Sequence, residues 1–130
     1  MFVNLTNHKY TSWSENQKKI AENQFGEFTG MEGFPTIDPT YSKEDVARAV
    51  RATLSDIDGT VRNHGFNPAD VAIICQGEMT FVVEFVKRAC EKGYSCYAAT
   101  SERSTVEKQL PDWTMSKTAV FEFVLFREYL

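Results

Sequence analysis

The chain has 130 residues, the usual length of one domain, and is 42% hydrophobic and 25% charged, as folded globular proteins are. Its formal net charge of −4 and isoelectric point near 5.2 argue against wrapping of long nucleic acid, which depends on many Lys and Arg contacts to phosphates. The sequence shows neither a signal peptide nor a run of about 18 apolar residues, so we expect a cytoplasmic protein without a membrane span.

The first part of the chain alternates short apolar runs with helix signals. Phe2–Leu5 is a partly β-branched run that ends in Thr6-Asn7-His8, as expected for a strand that leads into a loop. A capping box at Ser14 predicts the start of a helix, which Gly26 ends. Residues 28–31 then form a weak second strand.

The middle of the chain gives the clearest pattern. A cap at Ser42 begins a helix that ends at His64-Gly65. Its apolar stripe recurs every three or four residues and consists of Val46, Val50, Leu54, Ile57 and Val61. Residues 71–75 are continuously apolar, as in a parallel strand covered by helices on both faces. Met79–Glu91 predicts a third helix, and residues 94–99 predict a fourth strand.

The end of the chain departs from this alternation. Residues 105–110, a turn at Pro111-Asp112-Trp113 and residues 117–127 predict an antiparallel hairpin whose second arm is apolar on both faces. We see no repeat or linker, so residues 1–130 are expected to form a single domain. The predicted fold is a small Rossmann-like, three-layer α/β domain, with a mostly parallel sheet in the order 2-1-3-4 and the hairpin added at its edge.

Polar side chains follow the predicted strands. Ligands of open parallel sheets bind outside the carboxyl ends of the strands, at the point where the strand order reverses. In the predicted order this point lies between the first and third strands, so Asn7-His8 and Gln76-Gly77-Glu78 would flank one crevice. Thr100-Ser101-Glu102-Arg103 would lie beside it.

The start of the third helix is a candidate anion site. Free backbone N–H groups at Met79 and Thr80 would favour a phosphate, and Gly77 would let a ligand approach closely. The structural alternative is that Gly77 only permits a turn and that Glu78 or Thr80 caps the helix. The absence of a Gly-x-Gly-x-x-Gly or P-loop pattern disfavours a classical dinucleotide or triphosphate site.

Five further side chains have a functional and a structural interpretation. His8 could transfer protons near neutral pH, or could bond only to neighbouring backbone. Arg103 could bind a phosphate while Glu102 holds its guanidinium or a ribose hydroxyl, or the two could form an exposed salt bridge. Trp13 could stack on a base, as could Tyr41, or it could cover the core.

The cysteines and histidines do not predict a metal. Cys75, Cys90 and Cys96 lack Cys-x-x-Cys spacing and fall within apolar patterns, so we interpret them as reduced core residues. His8 and His64 are far apart in sequence and outside any short metal motif. We therefore expect no metal and no cofactor.

Three stretches are similar to a known group of proteins. They are Asn4-Leu5-Thr6-Asn7-His8 with Trp13-Ser14-Glu15-Asn16-Gln17, Gln76-Gly77-Glu78-Met79-Thr80, and Ala99-Thr100-Ser101-Glu102-Arg103 with residues 120–129. Over nearly the whole chain they resemble small stand-alone CRISPR-associated accessory proteins of type III antiviral systems. Some of those proteins are ring nucleases, which cut cyclic oligoadenylate messengers on a Rossmann-like dimer without a metal, and others only bind the messenger.

The resemblance implies a nucleotide site in a homodimer. It would place His8, Gln76, Glu78, Ser101, Glu102 and Arg103 at the messenger. Cleavage would need the ribose 2′-hydroxyl aligned on its phosphate, with His8 as acid or base and Arg103 holding developing charge. Residues 120–126 would form the dimer interface or cover the core. Two alternatives remain open, a non-catalytic protein-binding module and an enzyme acting on a free nucleotide.

Overall fold

Five strands and three helices follow one another in the computed structural model, which describes residues 1–130. The strands are β1 (Phe2–Leu5), β2 (Phe28–Glu32), β3 (Ala72–Cys75), β4 (Ser95–Gln109) and β5 (Met115–Glu128). The helices are α1 (Glu15–Phe25), α2 (Lys43–Asn63) and α3 (Met79–Glu91). The predicted helix at residues 79–91 is therefore confirmed at both ends.

The strands form one sheet in the order β2-β1-β3-β4-β5. The first four strands are parallel, and β5 runs antiparallel to β4. This confirms the predicted mixed α/β fold, and β5 adds a fifth position to the predicted order at the β4 edge. None of the helices combines the length and apolarity needed to cross a membrane.

Two hydrophobic clusters cover the two faces of the sheet, which gives the domain three layers. The stripe predicted for α2 is buried from Val46 to Val61 and packs with α3 against Val3, Ile73 and Cys96. A capping box holds the start of α2, where the Ser42 hydroxyl accepts from the Asp45 N–H at 3.2 Å.

The other face of the sheet is mainly aromatic. Phe2 is fully buried and its ring lies 6.0 Å from Trp13 and 5.3 Å from Phe28, between α1 and the sheet. Phe126 of β5 closes the cluster, with its ring centre 6.0 Å from that of Trp13. Residues from both ends of the sequence therefore complete this half of the core.

The cysteines lie where the sequence placed them. Cys75 and Cys96 are buried in the sheet, Cys90 is half-buried in α3, and all three are free thiols. Burial raises the pKa of Cys75 to about 12, which keeps this thiol protonated and unreactive near neutral pH. Their interpretation as core residues is confirmed.

One prediction about the end of the chain is wrong. The fourth strand does not stop at Ala99 before a separate hairpin, because β4 continues without interruption to Gln109. Thr100, Ser101, Glu102 and Arg103 therefore lie inside a strand and not in a loop. The register with β5 shifts at this point, and the Thr100 hydroxyl satisfies the backbone of Leu125 by donating to its carbonyl (3.1 Å) and accepting from its N–H (3.2 Å).

Beyond this shift β4 and β5 leave the rest of the sheet. Residues 100–125 form a two-stranded ribbon, joined at a turn that contains Trp113 with φ of 68°. Every residue from 101 to 115 is exposed. Because these residues are exposed, they gain little stability from the core of their own chain. A two-stranded hairpin on its own is only marginally stable in water.

A buried hydroxyl links α2 to the segment between α3 and β4. Asp58 accepts from the Tyr94 hydroxyl and from the Lys92 ammonium, each at 2.6 Å. Partial burial would raise the pKa of Asp58, but these two hydrogen bonds outweigh it and lower the pKa. Because the folded pKa lies below the unfolded value near ~3.9, the charged pair stabilises the fold above that pH and loses its contribution as the pH falls through the folded pKa.

We expect Tyr94→Phe to lower the free energy of unfolding by about 1 kcal/mol at pH 7, because it removes a hydrogen bond to a carboxylate. The loss should be smaller at an acidic pH below the folded pKa of Asp58, where the carboxyl group is protonated and accepts a weaker hydrogen bond. Urea unfolding at the two pH values measures both effects. Tyr97→Phe is the matched control, and an equal loss in both variants would contradict the assignment.

Candidate functional site

The segments that follow β1 and β3 meet at one edge of the sheet. Leu5 lies opposite Cys75 in the parallel pairing of these strands, and the Gln76 N–H donates to the Leu5 carbonyl at 3.2 Å. Thr6-Asn7-His8 and Gln76-Gly77-Glu78 therefore leave the sheet side by side, at the point where the strand order reverses. The structure brings these two predicted segments together.

The loop after β1 is fixed at His8. The His8 carbonyl accepts from the Asn4 amide at 2.8 Å and from the Trp13 indole N–H at 3.1 Å, while the His8 N–H donates to the Thr6 hydroxyl at 3.1 Å. The His8 imidazole is exposed and bonds to no side chain of the protein. A rigid backbone thus presents a free imidazole to solvent, and Asn7 beside it is also exposed.

Asn4 organises this loop and was missed by the sequence analysis. It is fully buried, and its amide also donates to the Glu32 carboxylate at 3.2 Å and accepts from the Thr6 hydroxyl at 2.8 Å. Glu32, at the end of β2, accepts a second bond from the Tyr10 N–H at 2.8 Å. A single Asn within the apolar run Phe2–Leu5 was the available signal, since buried amides need partners.

The predicted anion site at the start of α3 is closed by the protein itself. The Glu78 carboxylate accepts from the Thr80 N–H (3.0 Å), the Phe81 N–H (2.8 Å) and the Thr80 hydroxyl (2.6 Å). These bonds lower the pKa of Glu78, with the Thr80 hydroxyl as the largest cause. The expectation of a free N–H group at Thr80 is wrong, and the structure shows the capping alternative, with Glu78 as the cap.

Gly77 and Gln76 also have structural partners. A Cβ at Gly77 would lie 2.5 Å from the Phe34 ring, so Phe34 occupies the space in which a ligand was expected to approach. The Gln76 amide donates to the Ala99 carbonyl and accepts from the Ala99 N–H, both at 3.0 Å. Gln76 thereby continues the pairing of β4 past the end of β3.

Trp13 covers the core and offers no stacking surface. It is only 6% exposed, its ring packs on Phe2, and its N–H is used by the His8 carbonyl. The interpretation of Trp13 as a base-stacking residue is therefore wrong. The alternative of core coverage is confirmed.

Glu102 and Arg103 lie on the ribbon and form no salt bridge with each other. Arg103 instead lies over the Phe121 ring at 5.9 Å, and Glu102 is directly opposite Glu122. Four residues of extended strand, about 13 Å, separate Arg103 from Ala99, where Gln76 ends the pairing. Of the three predicted catalytic residues, only His8 lies at the carboxyl ends of β1 and β3.

Met79 and Thr80 line a separate groove between α2 and α3, with a volume of ≈ 730 Å³. Met79 is 79% exposed there, and Tyr41 lies on the α2 side. Lys43 and Lys87 add positive charge that the sequence analysis did not single out. Nowhere do three His, Cys, Asp or Glu side chains meet as a metal site would require.

We expect Asn4→Leu to lower the free energy of unfolding by about 2 kcal/mol, because the near-isosteric change removes the buried amide's hydrogen bonds to Thr6, the His8 carbonyl and Glu32. Urea unfolding measures the loss. The same substitution at exposed Asn7 is the control and should change stability by less than about 0.5 kcal/mol. Equal effects at the two positions would show that Asn4 does not organise the loop.

Gly77→Ala should lower the free energy of unfolding by about 1–2 kcal/mol, because the new methyl group overlaps the Phe34 ring. In a Phe34→Leu background the same change should cost less, since the smaller side chain can move aside. A double-mutant cycle by thermal unfolding gives this interaction. Additive losses would mean that Phe34 does not set the requirement for glycine.

Comparison with known proteins identifies a family. No curated protein matches the chain. No solved structure matches it either. A family model described as the uncharacterized protein MJ1673 family matches residues 1–127. Since this match spans nearly the entire sequence, including the carboxyl ends of β1 and β3 and the ribbon, the chain belongs to the MJ1673 family.

Proposed function

We propose that the protein binds a cyclic oligoadenylate messenger at the carboxyl ends of β1 and β3, with His8 as its catalytic residue. The observation that carries the proposal is the His8 loop, in which the backbone is held at both N–H and carbonyl while the imidazole is exposed. Rigid placement of one unpaired proton-transfer group is typical of a site and unnecessary for a structural loop. The resemblance supplies the ligand class, and the proposal places the protein in the cytoplasm.

The chemistry requires only groups that a nucleotide and this loop supply. The 2′-hydroxyl of one ribose attacks the adjacent phosphorus, the bond to the 5′-oxygen breaks, and the products end in a 2′,3′-cyclic phosphate and a 5′-hydroxyl. His8 would take the proton from the attacking hydroxyl or give one to the departing 5′-oxygen. Each proton is accounted for by the imidazole and solvent.

The position of positive charge differs from the initial expectation. Glu78 accepts from the Thr80 and Phe81 N–H groups at the start of α3, and Arg103 lies far along the ribbon, so neither the helix start nor Arg103 is assigned to the phosphate. Lys9 follows His8 directly and is exposed, and its backbone is fixed because its carbonyl accepts from the Ser12 N–H at 2.8 Å. We assign Lys9 as the phosphate contact. The earlier assignment of Glu102 and Arg103 to the messenger site stays a prediction.

A second candidate function is favoured by the ribbon. Trp113 is 81% and Phe121 66% exposed, and exposed aromatic side chains of this kind are enriched at protein interfaces. In that case the domain is a protein-binding module, and His8 only closes a turn.

The decisive experiment incubates the pure protein with cyclic tri-, tetra- and hexa-adenylate in the presence of EDTA. Calorimetry measures binding, and chromatography detects linear products. Failure to bind any ring would contradict the proposal and leave the binding module. Binding without products would restrict the function to sensing or sequestration, and thermal shifts with mononucleotides alone would indicate an enzyme of free nucleotides.

If cleavage occurs, we expect His8→Ala to reduce its rate by about 100-fold or more, the usual contribution of a general acid or base. His64→Ala is the matched control, because the His64 ring bonds only to the Thr60 carbonyl at the end of α2. Its rate should equal that of the wild type. Equal activity of His8→Ala and wild type would exclude His8 from the chemistry.

A further inference from the structure

The outer edge of β4 is unpaired along the ribbon. On one side, residues 101–109 pair with β5, but β3 ends at Cys75 and leaves the other side open. All nine residues are exposed. Gln76 closes this edge at Ala99, and Pro111, which has no N–H, follows its far end.

The direction of the free backbone groups follows from the register. Leu110 lies one residue beyond the pair Gln109 and Met115, and its N–H donates to the Thr114 carbonyl at 2.8 Å. Because inward and outward groups alternate along an antiparallel strand, the even-numbered residues bond to β5. The groups that point outward belong to Ser101, Arg103, Thr105, Glu107 and Gln109. Such an edge is a template for another strand.

The charged residues of this edge complement those of the same edge in a second copy of the chain. A two-fold axis perpendicular to a sheet keeps each side chain on its own face, so antiparallel pairing of two identical strands must be centred on a residue. Centred on Thr105, it places Glu102 opposite Lys108 of the second copy. It also places Arg103 opposite the second copy's Glu107. All four charged residues of the edge then face an opposite charge.

The same centre follows from a second observation. Thr105 is the midpoint of the free edge, residues 101–109, so this register also pairs every outward N–H and C=O group. The number of paired groups and the charge match therefore reach their maximum together. Neither observation depends on the other.

The opposite edge of the ribbon does not offer this match. In the regular part of β5, the charged residues Lys117 and Glu122 point to opposite faces. Pairing of two copies of β5 about a two-fold axis therefore never sets one opposite the other. The irregular register near Leu125 further interrupts this edge, as bulges commonly do on edges that stay unpaired.

Within one chain, two carboxylates of the ribbon lack a partner of opposite charge. Glu102 lies opposite Glu122 in the ribbon, and no cation forms a salt bridge with either. Like charges directly opposite destabilise a strand pair. In the paired ribbon, Lys108 of the second copy would flank Glu102 on its open side.

We infer that two copies of this chain join through the outer edges of β4, centred on Thr105, into a four-stranded ribbon in the order β5-β4-β4-β5. The inference does not rest on the proposed function. Its register sets Pro111 beside Ala99 of the second copy, where Gln76 ends that copy's β3 edge. Each turn, with its exposed Trp113, therefore lies by the carboxyl ends of the other copy's strands.

The test is the mass of charge variants in solution, measured by sedimentation equilibrium with native folding checked by circular dichroism. The wild type should have twice the chain mass of 14.8 kDa. Lys108→Glu sets like charges opposite each other at both symmetric places, so we expect the dimer to weaken by about tenfold or more. Lys19→Glu makes the same charge change on α1, where Lys19 is exposed and forms no salt bridge, and should leave the dimer intact.

A mixing experiment separates charge pairing from loss of folding. Glu102→Lys and Lys108→Glu should each be weak dimers alone, yet their mixture should form a heterodimer of near wild-type affinity, because every pair is again opposite. A monomeric wild type, no heterodimer on mixing, or equal weakening by Lys19→Glu would each overturn the inference. An oxidised disulfide at Thr105→Cys but not at Thr118→Cys would support it, since the paired Cα atoms at the axis would lie about 5.5 Å apart.

Discussion

The buried amide of Asn4 joins β1, the loop after it and the end of β2. It lies in β1, whose other side chains are apolar, and its bonds reach the Thr6 hydroxyl, the His8 carbonyl and the Glu32 carboxylate. A buried amide without partners would cost more than its bonds return, so the strand, the loop and the end of β2 must adopt this arrangement together. The His8 carbonyl, held by Asn4, also accepts from the indole N–H of the buried Trp13.

Much of the fold follows from local patterns in the sequence. The α2 stripe recurs with the period of an amphipathic helix, and β3 is continuously apolar. The type and the bounds of both elements could therefore be predicted. The continuation of β4 could not. Thr100 to Ser104 is polar on both faces because the ribbon has no core to cover, and a strand without alternating hydrophobicity is indistinguishable from a loop in sequence.

The candidate site was predicted only in part, for a related reason. The meeting of the β1 and β3 ends follows from strand order, which short crossover connections restrict strongly. The partners of the individual side chains do not follow from strand order. The glycine at position 77 is required by Phe34, which comes from a distant part of the sequence. Glu78 caps the helix by accepting from backbone N–H groups of the kind that would otherwise bind a phosphate. Sequence alone does not separate these uses, since both need the same residue types.

The aromatic cluster around Phe2 also constrains how the chain reaches its folded state. Phe2 packs on Trp13 and Phe28, which are near it in sequence, but Trp13 is covered by Phe126, which is synthesised much later than either. β1 likewise waits for β3 before its second edge is paired. A chain still attached to the ribosome would therefore expose an aromatic surface until β5 has emerged. We expect folding of this domain to wait for β5, with contacts of high sequence separation forming together.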